Sequence, residues 1–335
     1  MLNEATSDVL DLGRAPSLAA ARAYSGDVLA RARAALAGCA LPALEAVAVG
    51  GSLGRLEAGP AADFDCLLIA CDGAPRAAVQ RDVETVMTAL ADLGLALPKA
   101  DGIYREAVTR AALLDPAARG RLDEAPAIFG KRMQCLLDAR PLAGAAAFVS
   151  LRAAVVDWYA ADFVSQRPRR SWTALVNDLQ RYLHSYAVWQ QFKLASSADD
   201  SWALRQAKFR SSRVVTFAAL LCLLGASNDR DDKIPWLLAR LDATPLERLA
   251  QIMRAYDADA FARLLDAYDT AHALLSDRHV RAALIATPVE TALLGAEGPV
   301  ARMRAASGTV LAILTRFILA RSADWDERFF TRLIL

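Results

Sequence analysis

The chain has 335 residues, of which 55% are hydrophobic, and its 39 Lys and Arg residues nearly balance 38 Asp and Glu residues. This length and composition allow two globular domains, each with its own hydrophobic core. The formal net charge of +1 excludes a protein-wide positive field that would gather nucleic acid or an anionic membrane, so we expect any polyanion to be recognised locally.

Cysteine usage and the apolar segments favour a cytoplasmic protein. The five cysteines have no metal-type spacing, and cysteines in apolar runs behave as small hydrophobes, which predicts reduced thiols. The N-terminal residues lack the positive region and apolar core of a signal peptide. The longest uncharged apolar stretch, 214–226, has thirteen residues, fewer than the roughly 20 that a membrane helix needs. We therefore expect no membrane segment.

The first 145 residues alternate between helical and strand-like patterns. Helical spacing of apolar residues covers 17–40 and 76–93. Apolar runs predict buried strands over 45–49, 63–70 and 133–142. This part of the chain therefore predicts a small domain in which helices pack on a short mixed sheet.

After Gly144 the pattern changes, because nearly every later apolar segment has helical period. The candidate helices cover 145–163, 172–195, 202–224, 246–275 and 299–320. We therefore predict an α+β protein in which a small mixed-sheet domain, residues 1–145, is followed by an all-helical bundle domain, residues 146–335.

A glycine turn follows the first predicted strand. Gly50, Gly51 and Ser52 come directly after the apolar run and would present N–H groups and a hydroxyl in one concave place, which suits a phosphate chain. Arg55, about one helical turn later, could neutralise phosphate oxygens. The spacing fits neither the Walker pattern nor the dinucleotide-binding fingerprint.

Two aspartates open the second predicted strand. Asp63 and Asp65 are two residues apart, so on a strand their side chains share a face. Two neighbouring carboxylates repel each other unless a divalent cation lies between them, and Mg²⁺ takes oxygen ligands from carboxylates and substrate phosphates. The sequence therefore predicts that the phosphate cradle and a metal-binding pair form one site.

The order of Gly-Gly-Ser, a ten-residue gap and Asp-Phe-Asp resembles the DNA polymerase β-type nucleotidyltransferase superfamily. The stretch GGSLGRLE is similar to the glycine turn of PII uridylyltransferases and of a nucleotidyltransferase class often fused to CBS and cyclic-nucleotide-binding domains. The resemblance implies a third carboxylate on a later strand, and Asp138 in QCLLDARPLAG matches that position.

The resemblance extends into the helical half of the chain. WTALVNDLQRY (172–182) and WALRQAKFRSSR (202–213) are similar to stretches of the same class. The second stretch implies a basic group that holds the triphosphate, consisting of Lys208, Arg210 and Arg213. The residues that would line the substrate cleft are Asn177, Asp178, Arg181 and, in PKADGIYRE, Asp101.

The resemblance implies two-metal phosphoryl chemistry. Asp63, Asp65 and Asp138 would hold two Mg²⁺ ions, or Mn²⁺ in their place. The enzyme would transfer an NMP from an NTP to a hydroxyl or amine of a protein or small-molecule acceptor and release pyrophosphate. A non-catalytic nucleotide-sensing module of the same fold is the alternative. Nucleic acid is disfavoured as a partner, because no basic stripe interleaved with aromatic residues is present.

Each residue assignment also has a plainer alternative. The glycine turn and the two aspartates could be a hairpin-like turn and a strand cap, and Asp138 could form a turn before Arg-Pro. Arg55 could be a solvated helix residue, and the basic group could be an exposed helix face. Asn177 and Arg181, at positions i and i+4, could simply hydrogen-bond to each other.

Overall fold

The computed structural model describes residues 10–94, 96–98, 102–161, 163, 171–196, 202–288 and 297–334. The protein is mixed α/β and mostly helical, with a small mixed sheet, which is compatible with the predicted α+β class. The strands are β1 (Leu44–Val49), β2 (Cys66–Ala70), β3 (Ala107–Thr109) and β4 (Arg140–Ala143).

The helices of the first half of the chain are α1 (Pro16–Ala37), α2 (Gly51–Arg55), α3 (Arg76–Ala91), α4 (Arg110–Leu113), α5 (Pro126–Leu137) and α6 (Ala145–Ala160). Those of the second half are α7 (Thr173–Ser196), α8 (Trp202–Lys208), α9 (Val214–Ser227), α10 (Lys233–Leu238), α11 (Pro245–Tyr256), α12 (Ala258–Ser276), α13 (Arg278–Ala286), α14 (Gly298–Ala320) and α15 (Glu327–Ile334). A π-helical turn, Phe209–Arg213, joins α8 to α9.

Contacts divide the chain into two compact units. A sheet unit comprises Ala21–Leu175 with Asp231–Thr244, and a helical unit comprises the described residues of Met1–Ala20, Val176–Arg230 and Pro245–Leu335. These two units are defined by contacts within the fold. The expected boundary near residue 145 is defined by a change in sequence pattern, and it stays a prediction.

Within the described residues, the sheet has the strand order β3-β2-β1-β4. β1 pairs antiparallel with β2 and β4, and β2 pairs parallel with β3. All five residues of β2 are buried, as expected for a strand covered on both faces. Apolar residues of α1, α3, β1 and β2 form one core cluster, which includes Leu36, Val49, Leu68 and Val86. This core fixes the ends of β1 and β2, where the candidate site lies.

The helical unit has its own apolar core. A second cluster joins α8, α12, α13 and α14 through residues such as Ala207, Ala271, Leu284 and Met303. α9 packs against α11, and α12 packs along α14. The predicted helix over 246–275 is two helices, because the Asp257 carboxylate accepts the N–H of Ala260 and starts α12 as a new helix.

The strand predicted over 133–142 is wrong. Helix α5 occupies Pro126–Leu137, Asp138 ends it, and β4 covers Arg140–Ala143. A short apolar run such as MQCLL fits a buried helix as well as a buried strand, and proline at the first helical position starts α5 eleven residues before it ends. Asp138 therefore lies at the junction of α5 and β4 and not on a strand.

The strand predicted over 63–70 begins later than expected. Regular pairing starts at Cys66, while Asp63 makes an isolated parallel bridge with Ala96, and the N–H of Phe64 donates to Ala96 O at 3.0 Å. The two aspartates thus precede β2, so regular strand geometry does not determine which way their side chains point.

Two helical stretches among the described residues are long and apolar enough to cross a membrane by length and composition. In Trp202–Ser227, 67% of the most apolar window is buried inside the protein, and in Gly298–Ala323 28% of it is buried. Core helices of soluble proteins meet the same criterion, so this finding assigns no location to the chain.

Candidate functional site

The glycine turn packs directly against Asp65. The N–H of Gly50 donates to Asp65 O at 2.9 Å, which joins the end of β1 to the residue before β2. Gly51 has φ +64°, and a Cβ at this position would overlap Asp65 Oδ2. Glycine is needed here both for the left-handed backbone and for the close approach of a carboxylate.

Asp138 reaches the same turn from the other side. A Cβ at Gly50 would lie 3.0 Å from Asp138 Oδ1, and a Cβ at Gly54 would overlap the main-chain oxygen of Asp138. The structure therefore brings Asp65 and Asp138, which are far apart in sequence, to one glycine-lined segment.

Arg55 contacts two carboxylates. Its Nη1 donates to Asp138 Oδ2 at 2.9 Å, and its Nε donates to Glu57 Oε2 at 2.8 Å. The side chains of Arg55, Glu57 and Asp138 are only 8%, 5% and 11% exposed, so these ion pairs are shielded from solvent. The alternative of a solvated helix residue is wrong for Arg55.

A backbone reversal at Leu56 makes the Glu57 contact possible. Leu56 ends α2 with φ 61° and ψ 39°, and the N–H of Glu57 donates back to Ser52 O at 2.8 Å. A left-handed conformation costs a bulky residue roughly 1–2 kcal/mol. Such strain is found mostly at positions where the surrounding structure requires one geometry.

Two arginines hold the main chain around Asp138. Arg152 of α6 donates from Nε to Cys135 O at 3.2 Å and from Nη2 to Ala139 O at 2.8 Å. Arg140 donates from Nε to Gly54 O at 2.7 Å. The end of α5, the start of β4 and helix α2 are therefore linked by hydrogen bonds at the position of Asp138.

Asp63, the remaining predicted metal-binding aspartate, comes two residues before Asp65. Its side chain is exposed. Among the described residues, no three His, Cys, Asp or Glu side chains lie close enough together to hold a metal ion as they stand. Asp65 and Asp138 lie at the glycine turn, and joint metal binding by Asp63, Asp65 and Asp138 stays a prediction.

Two buried side chains, Lys131 and Cys66, lie near the start of β2. Lys131 of α5 is buried and donates from Nζ to Glu106 O, and burial lowers its pKa to about 8. Burial raises the pKa of the Cys66 thiol to about 12, and the neighbouring charge of Asp65 adds to this. Cys66 is therefore an unreactive core thiol.

Sequence reasoning missed several residues that shape this site. They are Glu57, Lys131, Gln134, Arg140 and Arg152. Gln134 Nε2 donates to Asp65 O at 3.3 Å, next to Gly50. One signal was available, since Glu57 follows Arg55 within GGSLGRLE and carries the opposite charge.

The basic group lies in the helical unit, at the π-helical turn. Lys208 is exposed, and Arg210 and Arg213 are half-buried. The Arg213 guanidinium lies 4.6 Å from the centre of the Tyr186 ring, a cation–π contact. Turns of π-helix occur frequently at functional positions. The expected triphosphate contact of this group stays a prediction.

The remaining cleft candidates are on α7 or outside the described residues. Asn177 is exposed, and Asp178 is buried and forms an ion pair with Arg181, Oδ1 to Nη2, at 3.5 Å. Arg181 is therefore linked to Asp178, three residues before it. Asp101 lies outside the described residues.

Comparison with known proteins gives no family assignment. No protein-family model matches the chain, and no curated protein sequence matches it. A functional proposal for this chain therefore depends on the residues around Gly50.

Proposed function

We propose that this chain is a metal-dependent nucleotidyltransferase that transfers an NMP from an NTP to a hydroxyl or amine of a protein or small-molecule acceptor. The observation that supports it is the packing of two aspartates, Asp65 and Asp138, against the segment Gly50–Gly54. Acidic oxygens next to a glycine turn combine the ligands of a hard cation with backbone groups suited to phosphate.

The donor types fit Mg²⁺ or Mn²⁺. Both ions prefer carboxylate oxygens, and Asp63, Asp65 and Asp138 would supply them. The exposed side chain of Asp63 and the half-buried one of Asp65 are accessible from solvent. When bound, such ions supply charge neutralisation on phosphate oxygens and on the departing pyrophosphate.

The side chains of this site would have separate roles. Ser52 and the N–H groups of the glycine turn would bind phosphate oxygens. Asp138 accepts Arg55 Nη1 at Oδ2, which leaves Oδ1, near Gly50, to take a proton from the acceptor. Catalysis in such a site comes mostly from positioning and charge neutralisation.

The test measures pyrophosphate release with each labelled NTP, Mg²⁺ or Mn²⁺, and a cell lysate or metabolite pool as acceptor. Asp65→Asn should lower the rate at least about 100-fold, because even partners of metal ligands contribute 10–100-fold. Asp92→Asn, an exposed aspartate of the same unit, is the matched control and should leave the rate unchanged. Equal rates in wild type and Asp65→Asn would refute the assignment.

A non-catalytic nucleotide-sensing module is a second candidate. It is favoured by the engagement of Asp138 with Arg55. This candidate predicts saturable NTP binding, measured by calorimetry, with no turnover for any acceptor pool. Turnover that disappears in Asp65→Asn would exclude it.

A further inference from the structure

Arg55 lies between two carboxylates, those of Glu57 and Asp138. One edge of its guanidinium faces Glu57 through Nε, and a terminal nitrogen, Nη1, faces Asp138. The rigid planar fork of arginine can hold two carboxylates at a fixed separation, which a lysine ammonium cannot do. The three side chains therefore form one line of alternating charge, Glu57, Arg55 and Asp138.

This line determines which oxygen of Asp138 faces the glycine turn. Because Oδ2 accepts from Arg55, Oδ1 is directed to Gly50, where a Cβ would lie 3.0 Å away. The main chain on both sides of Asp138 is held by Arg152, through Cys135 O and Ala139 O. With the backbone and one carboxylate oxygen both fixed, the direction of the other oxygen is fixed as well.

We propose that Arg55 is a positioning residue, which orients Asp138 at the glycine turn, and that Glu57 orients Arg55 in turn. Arg55 is therefore not a phosphate ligand. The effect of this orientation on turnover rests on the proposed nucleotidyltransferase function, whereas the effect on the Asp138 carboxylate does not.

The burial of the three side chains argues against a phosphate contact for Arg55. Its side chain is 8% exposed, and that of Glu57 is 5% exposed. Its Nε and Nη1 already donate to carboxylates, so moving the guanidinium out to a phosphate in solvent would separate buried opposite charges. Removing one partner from a buried ion pair leaves an uncompensated charge, which is strongly unfavourable.

The test compares Arg55→Lys and Glu57→Gln with matched surface variants. Arg31→Lys alters an exposed arginine paired with Asp27 at 3.0 Å, and Glu84→Gln alters an exposed glutamate. Thermal melts establish that each variant is folded. Arg55→Lys should lower kcat about 10–100-fold, the range typical of residues that orient a functional ligand, with KM for the NTP within about twofold of wild type.

The Glu57→Gln variant distinguishes a positioning role of Arg55 from a phosphate-binding role. Glu57 is an anion and cannot itself bind phosphate, so a lower kcat in this variant, with unchanged KM, indicates that the line of charges acts through Asp138. Both surface variants should match wild type. A raised KM with unchanged kcat in Arg55→Lys, together with wild-type kinetics in Glu57→Gln, would overturn the proposal and make Arg55 a phosphate ligand.

A second measurement does not depend on turnover. The carboxyl resonance of Asp138 is assigned by NMR in protein carrying isotope-labelled aspartate, using Asp138→Asn. Its chemical shift should change in Arg55→Lys and in Glu57→Gln, and should be unchanged in the two surface variants. If wild type shows neither turnover nor NTP binding, the proposed function fails, and the positioning role is then tested by the Asp138 resonance alone. An Asp138 chemical shift that is unchanged in both Arg55→Lys and Glu57→Gln would refute the positioning role.

Discussion

Replacing Gly54 with alanine should disturb Asp138 through its main chain. Gly54 lies in α2, and a Cβ there would overlap Asp138 O and lie 2.8 Å from Val49 O. Both atoms belong to the backbone, so no side-chain rotation can relieve the overlap. Val49 is in β1, and Asp138 is held by Arg55, so α2 has to move relative to both.

The expected stability change follows from two opposing terms. Forcing an extra carbon into a packed interior typically costs about 1–3 kcal/mol, whereas alanine in place of a helical glycine contributes roughly 0.5–1 kcal/mol in favour of folding. The net expectation for Gly54→Ala is a destabilisation of about 0–2.5 kcal/mol, against the stabilisation expected for an unhindered helical glycine. Gly130→Ala in α5 is the control, because apart from its chain neighbours and the backbone of its own helix no described atom lies within 4 Å of its Cβ position, and it should be stabilising by about 0.5–1 kcal/mol.

The assay is urea unfolding followed by circular dichroism, with pyrophosphate release measured on the same samples. Gly54→Ala should lower the unfolding midpoint and, because Asp138 is displaced, also lower turnover. Gly130→Ala should raise the midpoint slightly and leave turnover unchanged. A midpoint for Gly54→Ala equal to or above that of Gly130→Ala would refute the close packing of Gly54 against Asp138.

The other predictions concern a buried lysine and a second close-packed glycine. The pKa of Lys131 is about 8 in the folded chain against 10.5 for the free side chain, so between these pH values the unfolded chain binds more protons and stability rises with pH. The free energy of unfolding of wild type, measured with urea and compared with that of Lys131→Met, should therefore rise by up to about 3 kcal/mol between these two pH values. If the difference in unfolding free energy between the two proteins does not change with pH, Lys131 is not a buried titrating lysine. Gly225→Ala would place a Cβ on the Trp325 ring and should destabilise by about 1–3 kcal/mol in thermal melts, whereas Gly308→Ala, with open space among the described residues, should not.

Much of the fold could be predicted where period and length agree. Helix α1 and strand β1 were located to within a few residues, because a long amphipathic pattern and a short apolar run each fit one structure. The apolar run that ends at Leu137 was assigned to the wrong element, because its length fits a helix or a strand. The proline that starts the helix, Pro126, lies outside that run. Strand β3, with three residues, is too short to have a periodic pattern.

The candidate site was predictable in its parts and not in its contacts. The sequence and its resemblance singled out Gly51, Asp65 and Asp138, but the strand expected to carry Asp138 is wrong, because Asp138 ends a helix. The ion pair of Arg55 with Asp138 did not follow from the sequence, because helix spacing places a side chain on a face but says nothing about a carboxylate 83 residues away. The left-handed conformation of Leu56, φ 61°, likewise could not be predicted from the sequence, since leucine disfavours that conformation.

The contacts of the glycines change what their presence indicates about function. Gly51 makes room for Asp65 Oδ2 and Gly54 for Asp138 O, while a Cβ at Gly50 would first meet Gln134 Nε2, so Gly51 and Gly54 are needed for packing whether or not phosphate binds. A glycine pattern alone therefore cannot separate an enzyme from a binding module. The separation depends on the charge of the carboxylates, because Asp65→Asn keeps nearly the same volume and the same glycine contacts while it removes the negative charge. A variant that folds like wild type and has lost turnover would assign catalysis to that charge, independently of the packing that the glycines require.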